Sequence, residues 1–264
     1  MVKIMFLGNL IPMISILLFP MNTQAAIQTR TIEYKCNDVV CEGYLAYNDA
    51  LKDKVPGVLI VHEWRGIGPY EKMRAEKIAA LGYAGFVVDI YGKGIRPKDD
   101  QEAAKQSAFY RANRLLMRQR AQAGLNEIRK LKFVDPARIA VMGYCFGGTV
   151  SLELARSGAD IQGAVSFHGS LETPFPQETK NLKAKILVLH GADDPTVPIE
   201  QISVFQNEMR NAKADWQMVY YGNAVHRFSN PLAGENAASG FAYNQEADAR
   251  SWEAMRNFFK EIFL

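Results

Sequence analysis

Apolar positions along this chain alternate between two periods. "VPGVLIVH" (55–62) is apolar almost throughout and has the length of a buried strand, whereas "PYEKMRAEKIAALG" (69–82) sets Met73, Ile78 and Leu81 at helical spacing before Gly82 ends it. The alternation repeats to the carboxyl end. "YAGFVVDIYG" (83–92) reads as strand, residues 100–132 as two amphipathic helices broken near Gly124, and "ARIAVMGY" (137–144) as strand running into the helix "FGGTVSLELARSG" (146–158). Strands at 162–169 and 184–191, a helix at 199–212, a strand at 215–222 and a closing helix over 244–259 complete the pattern. Ahead of it, "TRTIEYK" and "EGYLAY" flank the Asn-Asp turn of "CNDVVC", which predicts an antiparallel hairpin. Strands alternating with helices predict an α/β fold with a mostly parallel central sheet covered on both faces. Right-handed crossovers then bring the turns after the strands to one edge, where open α/β sheets bind ligands.

The first residues follow a different pattern. Lys3 is the only charge ahead of an apolar run from Ile4 to Pro20, interrupted mainly by Asn9, and the segment closes on Asn22-Thr23-Gln24-Ala25-Ala26. A positive start, an apolar middle and small residues before a cut after Ala25 predict a signal peptide over residues 1–25, with 26–264 forming one domain. The competing reading is an uncleaved anchor, for which the run is near the short limit. A cleaved chain is expected in a bacterial periplasm or secreted, with no stable membrane association. The whole chain carries 31 basic and 28 acidic residues. Losing Lys3 leaves a formal charge of +2, a near balance that speaks against a nucleic-acid partner.

The chain has three cysteines. Cys36 and Cys41 end "CNDVVC" and are expected to bridge across the hairpin if the compartment is oxidising. So short a loop would contribute about 2 kcal/mol. Cys145 is left over, and an odd thiol in an exported protein is a candidate for reactivity.

Cys145 lies in Gly143-Tyr144-Cys145-Phe146-Gly147, the pattern of a sharp strand-to-helix turn whose glycines leave room for a strained nucleophile. Its place at a helix amino end favours negative charge on sulfur. Asp194 in "HGADDPTVP" and His226 in "YGNAVHRF" each follow a strand, so all three converge on one edge in the order nucleophile, acid, histidine. Asp193 is the alternative acid. Ser166 and Ser170 lack the glycine-flanked elbow. His62, His168 and His190 also end strands, but their spacing matches no metal site and they read as packing or supporting groups. No metal or cofactor is expected.

With "HEWRG" (62–66), "VVDIYGKG" (87–94), "GYCFGG" (143–148), "ADDPTVP" (192–198) and "AVHRF" (224–228) in order, the sequence from about Thr29 onward resembles the dienelactone hydrolase family of α/β-hydrolases. The resemblance implies hydrolysis of a small ester or lactone, with Cys145 as nucleophile, Asp194 as orienting acid and His226 as base. It also implies that Glu63 contacts and modulates the resting thiol, and that the backbone N–H of Trp64 joins that of Phe146 in an oxyanion hole. Family members that act on dienelactones hold the substrate carboxylate with arginines. One of these would fall at Asn230 here, a departure that leaves dienelactone specificity open. Tyr91, Arg111 and Arg227 are candidate pocket residues beside Trp64 and Phe146, with Arg114, Arg118 and Arg120 on the same helical stretch as Arg111. Two rivals to ester hydrolysis are an acyltransferase or peptidase of the same fold, and a non-catalytic binding or thiol redox protein. The sequence does not fix the oligomeric state.

Overall fold

The computed structural model describes residues 1–2 and 26–264. All but the first two residues of the expected signal segment lie outside that range. Eight strands form one sheet: β1 (Ile27–Cys36), β2 (Val39–Asn48), β3 (Val55–Val61), β4 (Ala84–Val88), β5 (Val134–Tyr144), β6 (Gly163–Phe167), β7 (Lys185–Gly191) and β8 (Trp216–Tyr221). Their order across the sheet is β1-β2-β4-β3-β5-β6-β7-β8. β1 and β2 form the predicted antiparallel hairpin, β2 also runs antiparallel to β4, and every pairing from β4 to β8 is parallel. Burial explains the near-continuous apolar runs, since β3, β4 and β6 are covered on both faces.

Among the described residues there are six α-helices, five of them packed on the two faces of the sheet. On one face, α1 (Pro69–Ala80) and α6 (Gln245–Ile262) bring Tyr70, Ala75, Ile78, Met255, Phe258 and Phe259 against Val58, Ile60 and Val165. On the other, α3 (Arg114–Arg129), α4 (Phe146–Arg156) and α5 (Ile199–Asn211) bring Met117, Leu125, Val150 and Phe205 against Leu59, Val141 and Val188. α2 (Asp100–Ala112) precedes α3. Among the described residues no helix is long and apolar enough to cross a membrane.

Three local expectations are corrected. The helices over 100–132 break at Asn113, whose side-chain amide donates to the Phe109 carbonyl at 2.7 Å. Gly124 instead lies inside α3, where an added Cβ would fall 2.1 Å from the Val88 side chain, so the glycine lets the helix approach β4. β4 stops at Val88 because the buried Asp89 carboxylate turns the chain, accepting the N–H groups of Tyr91 (3.1 Å), Gly92 (3.0 Å) and Glu42 (3.0 Å). The expected Cys36–Cys41 disulfide is absent, and both thiols are free and buried. The hairpin register pairs Cys36 with Val39 and Tyr34 with Cys41, so the cysteines are diagonal neighbours rather than opposite ones. Diagonal positions stand about 7–8 Å apart, outside the usual span of a disulfide.

The topology also fixes where a ligand meets the sheet. From β3 the chain moves to β4 on one side and then crosses back to β5 on the other. β3 and β5 are paired with Val61 against Gly143, so the turns carrying Glu63-Trp64 and Cys145-Phe146 emerge side by side at this switch point.

Candidate active site

Cys145 sits between β5 and α4 with φ 54° and ψ −114°, in a region that L residues rarely occupy. The glycines around it are required by close packing. A Cβ at Gly143 would stand 2.1 Å from the Gly147 carbonyl oxygen, and one at Gly147 would stand 2.2 Å from that of Val61. The Cys145 N–H is shared between the Phe167 carbonyl (3.0 Å) and His168 Nδ1 (3.1 Å). Cys145 opens onto a cavity of about 520 Å³ lined by Trp64, Arg111, Ser170, His226, Arg227 and Phe241, among others.

His226 and Asp194 meet at the same edge. His226 Nδ1 lies 2.8 Å from Asp194 Oδ2 and 3.0 Å from Thr196 Oγ1. The other Asp194 oxygen accepts the Thr196 hydroxyl (2.7 Å) and N–H (2.8 Å), which orients the carboxylate. Asp194 is buried, while Asp193 is exposed and makes no such contact. Burial would raise the Asp194 carboxyl, yet His226 and Thr196 outweigh it and hold it below its ordinary value. For His226, burial works against the charged ring, but the Cys145 sulfur in its anionic form and Asp194 prevail and push it upward. Thr196 was missed in the sequence, although an Asp followed two residues later by Thr is the signature of a side-chain-to-backbone turn.

The proposed oxyanion donors stand together. Phe146 opens α4, so its N–H has no acceptor one helical turn back. The Trp64 N–H follows β3 outside any ladder. The Trp64 carbonyl accepts the Tyr91 hydroxyl at 2.9 Å. Tyr91 is therefore buried beneath the site, edge-on to His62 and tilted against Phe146, and does not line the cavity as was expected of it. Arg111 does line it, its guanidinium 5.7 Å from the Phe146 ring centre and 3.3 Å from Thr149 Oγ1.

Glu63 is turned differently from the expectation. Its carboxylate accepts Arg227 Nη2 at 3.0 Å and Asn230 Nδ2 at 2.8 Å, and its hydrogen bonds go to these two residues rather than to the Cys145 thiol. Arg227 thus serves as the partner of Glu63, and Asn230 completes the pair. Beneath them Glu71 accepts the N–H groups of Glu63 (3.1 Å) and Gly68 (2.9 Å). Burial, with Glu63 nearby, pushes the Glu71 carboxyl up to about 7. Arg114, Arg118 and Arg120 are buried and do not line the cavity: Arg118 binds Glu153 at 3.0 Å, Arg114 faces Glu172, which does line it, at 3.5 Å, and Arg120 reaches the Cys41 sulfur at 3.5 Å. No cluster of His, Cys, Asp and Glu suited to a metal ion is present among the described residues.

Comparison with known proteins agrees with this architecture. The family model described as "Dienelactone hydrolase family" matches residues 41–263. The chain belongs to the dienelactone hydrolase family. A solved dienelactone hydrolase-like promiscuous phosphotriesterase from metagenomic libraries is 37% identical and superimposes with a TM-score of 0.86, covering 90% of this chain and 100% of that one. A protein of Aquifex aeolicus named "Putative carboxymethylenebutenolidase" is 24% identical over 238 residues, 87% of this chain and 96% of that protein. A Bradyrhizobium protein named "Probable 2-oxo-3-(5-oxofuran-2-ylidene)propanoate lactonase" is 24% identical over 74% of this chain and 86% of its own length. This dienelactone hydrolase family member is an ester or lactone hydrolase with the α/β-hydrolase fold.

Proposed function

We propose that the protein is an exported thiol hydrolase that cleaves a small ester or lactone through Cys145, His226 and Asp194. The observation that carries this reading is the meeting of three features at one cavity: a cysteine in a strained strand-to-helix turn, an imidazole, and a carboxylate 2.8 Å from that imidazole. Cys145 Sγ attacks the carbonyl carbon, and the oxygen that gains charge is received by the N–H groups of Phe146 and Trp64. His226 holds the thiol proton and delivers it to the departing alcohol oxygen, while Asp194 and Thr196 keep its ring oriented. The acyl group is then on sulfur as a thioester. Water attacks that carbonyl, His226 takes its proton, and the acid leaves as the thiol is restored.

The charges at the cavity narrow the substrate. Arg227 is paired with Glu63 and Glu172 with Arg114, whereas Arg111 forms no ion pair among the described residues. One free guanidinium beside Trp64 and Phe241 suits an acyl or alcohol portion that bears a carboxylate next to an apolar group. Export rests on the pattern of residues 1–25, and intact mass of the protein recovered from the periplasm or medium tests it.

The deciding experiment measures hydrolysis of activated esters and lactones, with one activated phosphotriester, by the parent and by Cys145→Ala, recording intact mass during turnover. Turnover lost in the variant and an acyl mass on the parent are expected. An untouched rate in Cys145→Ala, or no turnover and no adduct from a parent shown to be reduced, would overturn the proposal.

A further inference from the structure

His168 is buried completely beneath the site, and both of its ring nitrogens are engaged. Nδ1 accepts the Cys145 N–H at 3.1 Å, so the proton is on Nε2, which donates to Ser229 Oγ at 2.8 Å. Ser229 lies three residues beyond His226 in the same loop. Its hydroxyl contacts Tyr70 Oη at 2.8 Å, and its carbonyl accepts Tyr70 Oη at 3.2 Å and Arg74 Nη2 at 2.6 Å. Arg74 is itself buried and paired with Asp248 of α6. A continuous chain of donors therefore runs from α6 through α1 and the His226 loop to the backbone of Cys145. His168 and Cys145 both have positive φ, 41° and 54°. Two such conformations persist only when their surroundings hold them.

We propose that His168 is a positioning residue that fixes Cys145 relative to His226 by joining the nucleophile's backbone to the loop that carries the base. Any buried ring needs its nitrogens satisfied, and what marks His168 is which partners satisfy them. Here each nitrogen bonds a different side of the reacting pair, and the ring stands edge-on to His226 with centres 5.3 Å apart. Misplacement of a nucleophile by about 1 Å can cost roughly a hundredfold in rate.

The inference rests on the thiol-hydrolase reading, and its test separates the two. His168→Phe, His168→Asn and Ser229→Ala are compared with the parent for kcat and KM on p-nitrophenyl acetate, for thermal midpoint, and for the rate of Cys145 alkylation by iodoacetamide. In His168→Phe, kcat should fall about ten- to a hundredfold with KM nearly constant. His168→Asn should recover much of the loss, because Oδ1 replaces Nδ1 as acceptor and asparagine tolerates positive φ. Ser229→Ala should lose kcat in the same direction and add little to His168→Phe, as members of one bridge do. A parental kcat in folded His168→Phe, or no recovery in His168→Asn, would overturn the proposal. If His168→Phe does not fold, Ser229→Ala decides: parental kcat there rejects the bridge. If the parent turns over no ester, the hydrolase reading fails on its own, and slower alkylation of Cys145 in the variants still supports the bridge while unchanged alkylation rejects it.

Discussion

Cys145 and Cys41 are both buried thiols on strands or strand ends of one sheet, yet the groups around them differ. Cys41 is fully covered within β2, packed in the apolar cluster with Tyr34 and Cys36, and burial, with Asp89 nearby, pushes its thiol up to about 11. Arg120 approaches that sulfur at 3.5 Å without offsetting the loss of solvation. Cys145 is 9% exposed, so burial alone barely distinguishes the two. What distinguishes them is the helix amino end behind Cys145, the imidazole beside it and a cavity in front. On the thiol-hydrolase reading proposed above, reactivity is a property of the edge of the sheet rather than of the residue type.

The largest test of that contrast is a pair of single substitutions. Cys145→Ala should reduce ester turnover to background, a loss on the order of a million-fold for a removed nucleophile. Cys41→Ala should leave kcat unchanged and cost about 1 kcal/mol in a urea melt, the scale of a small buried group. Equal losses of activity would mean that both thiols act through the fold. Next in size, Asp194→Asn should lower kcat by roughly ten thousandfold with KM little moved, since the amide favours the wrong tautomer of His226. A loss below tenfold would return the role to another group, with Asp193→Asn as the control.

The same contrast shows what the sequence made legible. Strand and helix periods located the alternating elements because burial on one or both faces writes them into the chain, and the glycines of "GYCFGG" announced the sharp turn because only glycine fits where Gly147 meets Val61. Pairings between distant segments were less readable. The bond from His168 to Cys145 depends on β5 and β6 ending together, and the partners of Glu63 depend on how the loop after His226 folds back over β3. The disulfide expectation failed on register. A turn of two residues placed Val39, not Cys41, opposite Cys36, and spacing alone does not report that choice. Gly124 misled for a related reason: glycine marks a close approach as readily as a helix break.

Glu63 allows a third, intermediate test. Arg227 is half-buried at the cavity wall beside Glu63, and although burial opposes its charge, Glu63 outweighs that and raises it. Removing the carboxylate in Glu63→Gln would leave the guanidinium uncompensated near the sulfur. Alkylation and peroxide oxidation of Cys145 at pH 7 should then quicken roughly three- to tenfold, because a nearby cation favours the thiolate. Arg227→Gln should move both rates the other way. Rates that shift together in the two variants would show that the pair acts through packing and not through charge.

The smallest effect concerns the inert thiol. A thiol whose pKa is raised in the fold binds its proton more firmly than in the unfolded chain, so its contribution to stability is complete below the unfolded value and fades as pH rises through the folded one. For Cys41 that window runs from about 9 to about 11. The parent should therefore lose stability between pH 8 and pH 10 faster than Cys41→Ala, and the gap between their urea midpoints should narrow. Thiol counting gives the same contrast in kinetic form: one cysteine should react quickly in the native protein and three in denaturant, with the two hairpin thiols labelled only as fast as the sheet opens. A gap that stays constant with pH, together with rapid native labelling of Cys41, would mean that the hairpin edge opens readily. The protection of Cys36 and Cys41 would then owe less to burial than their place in the core implies.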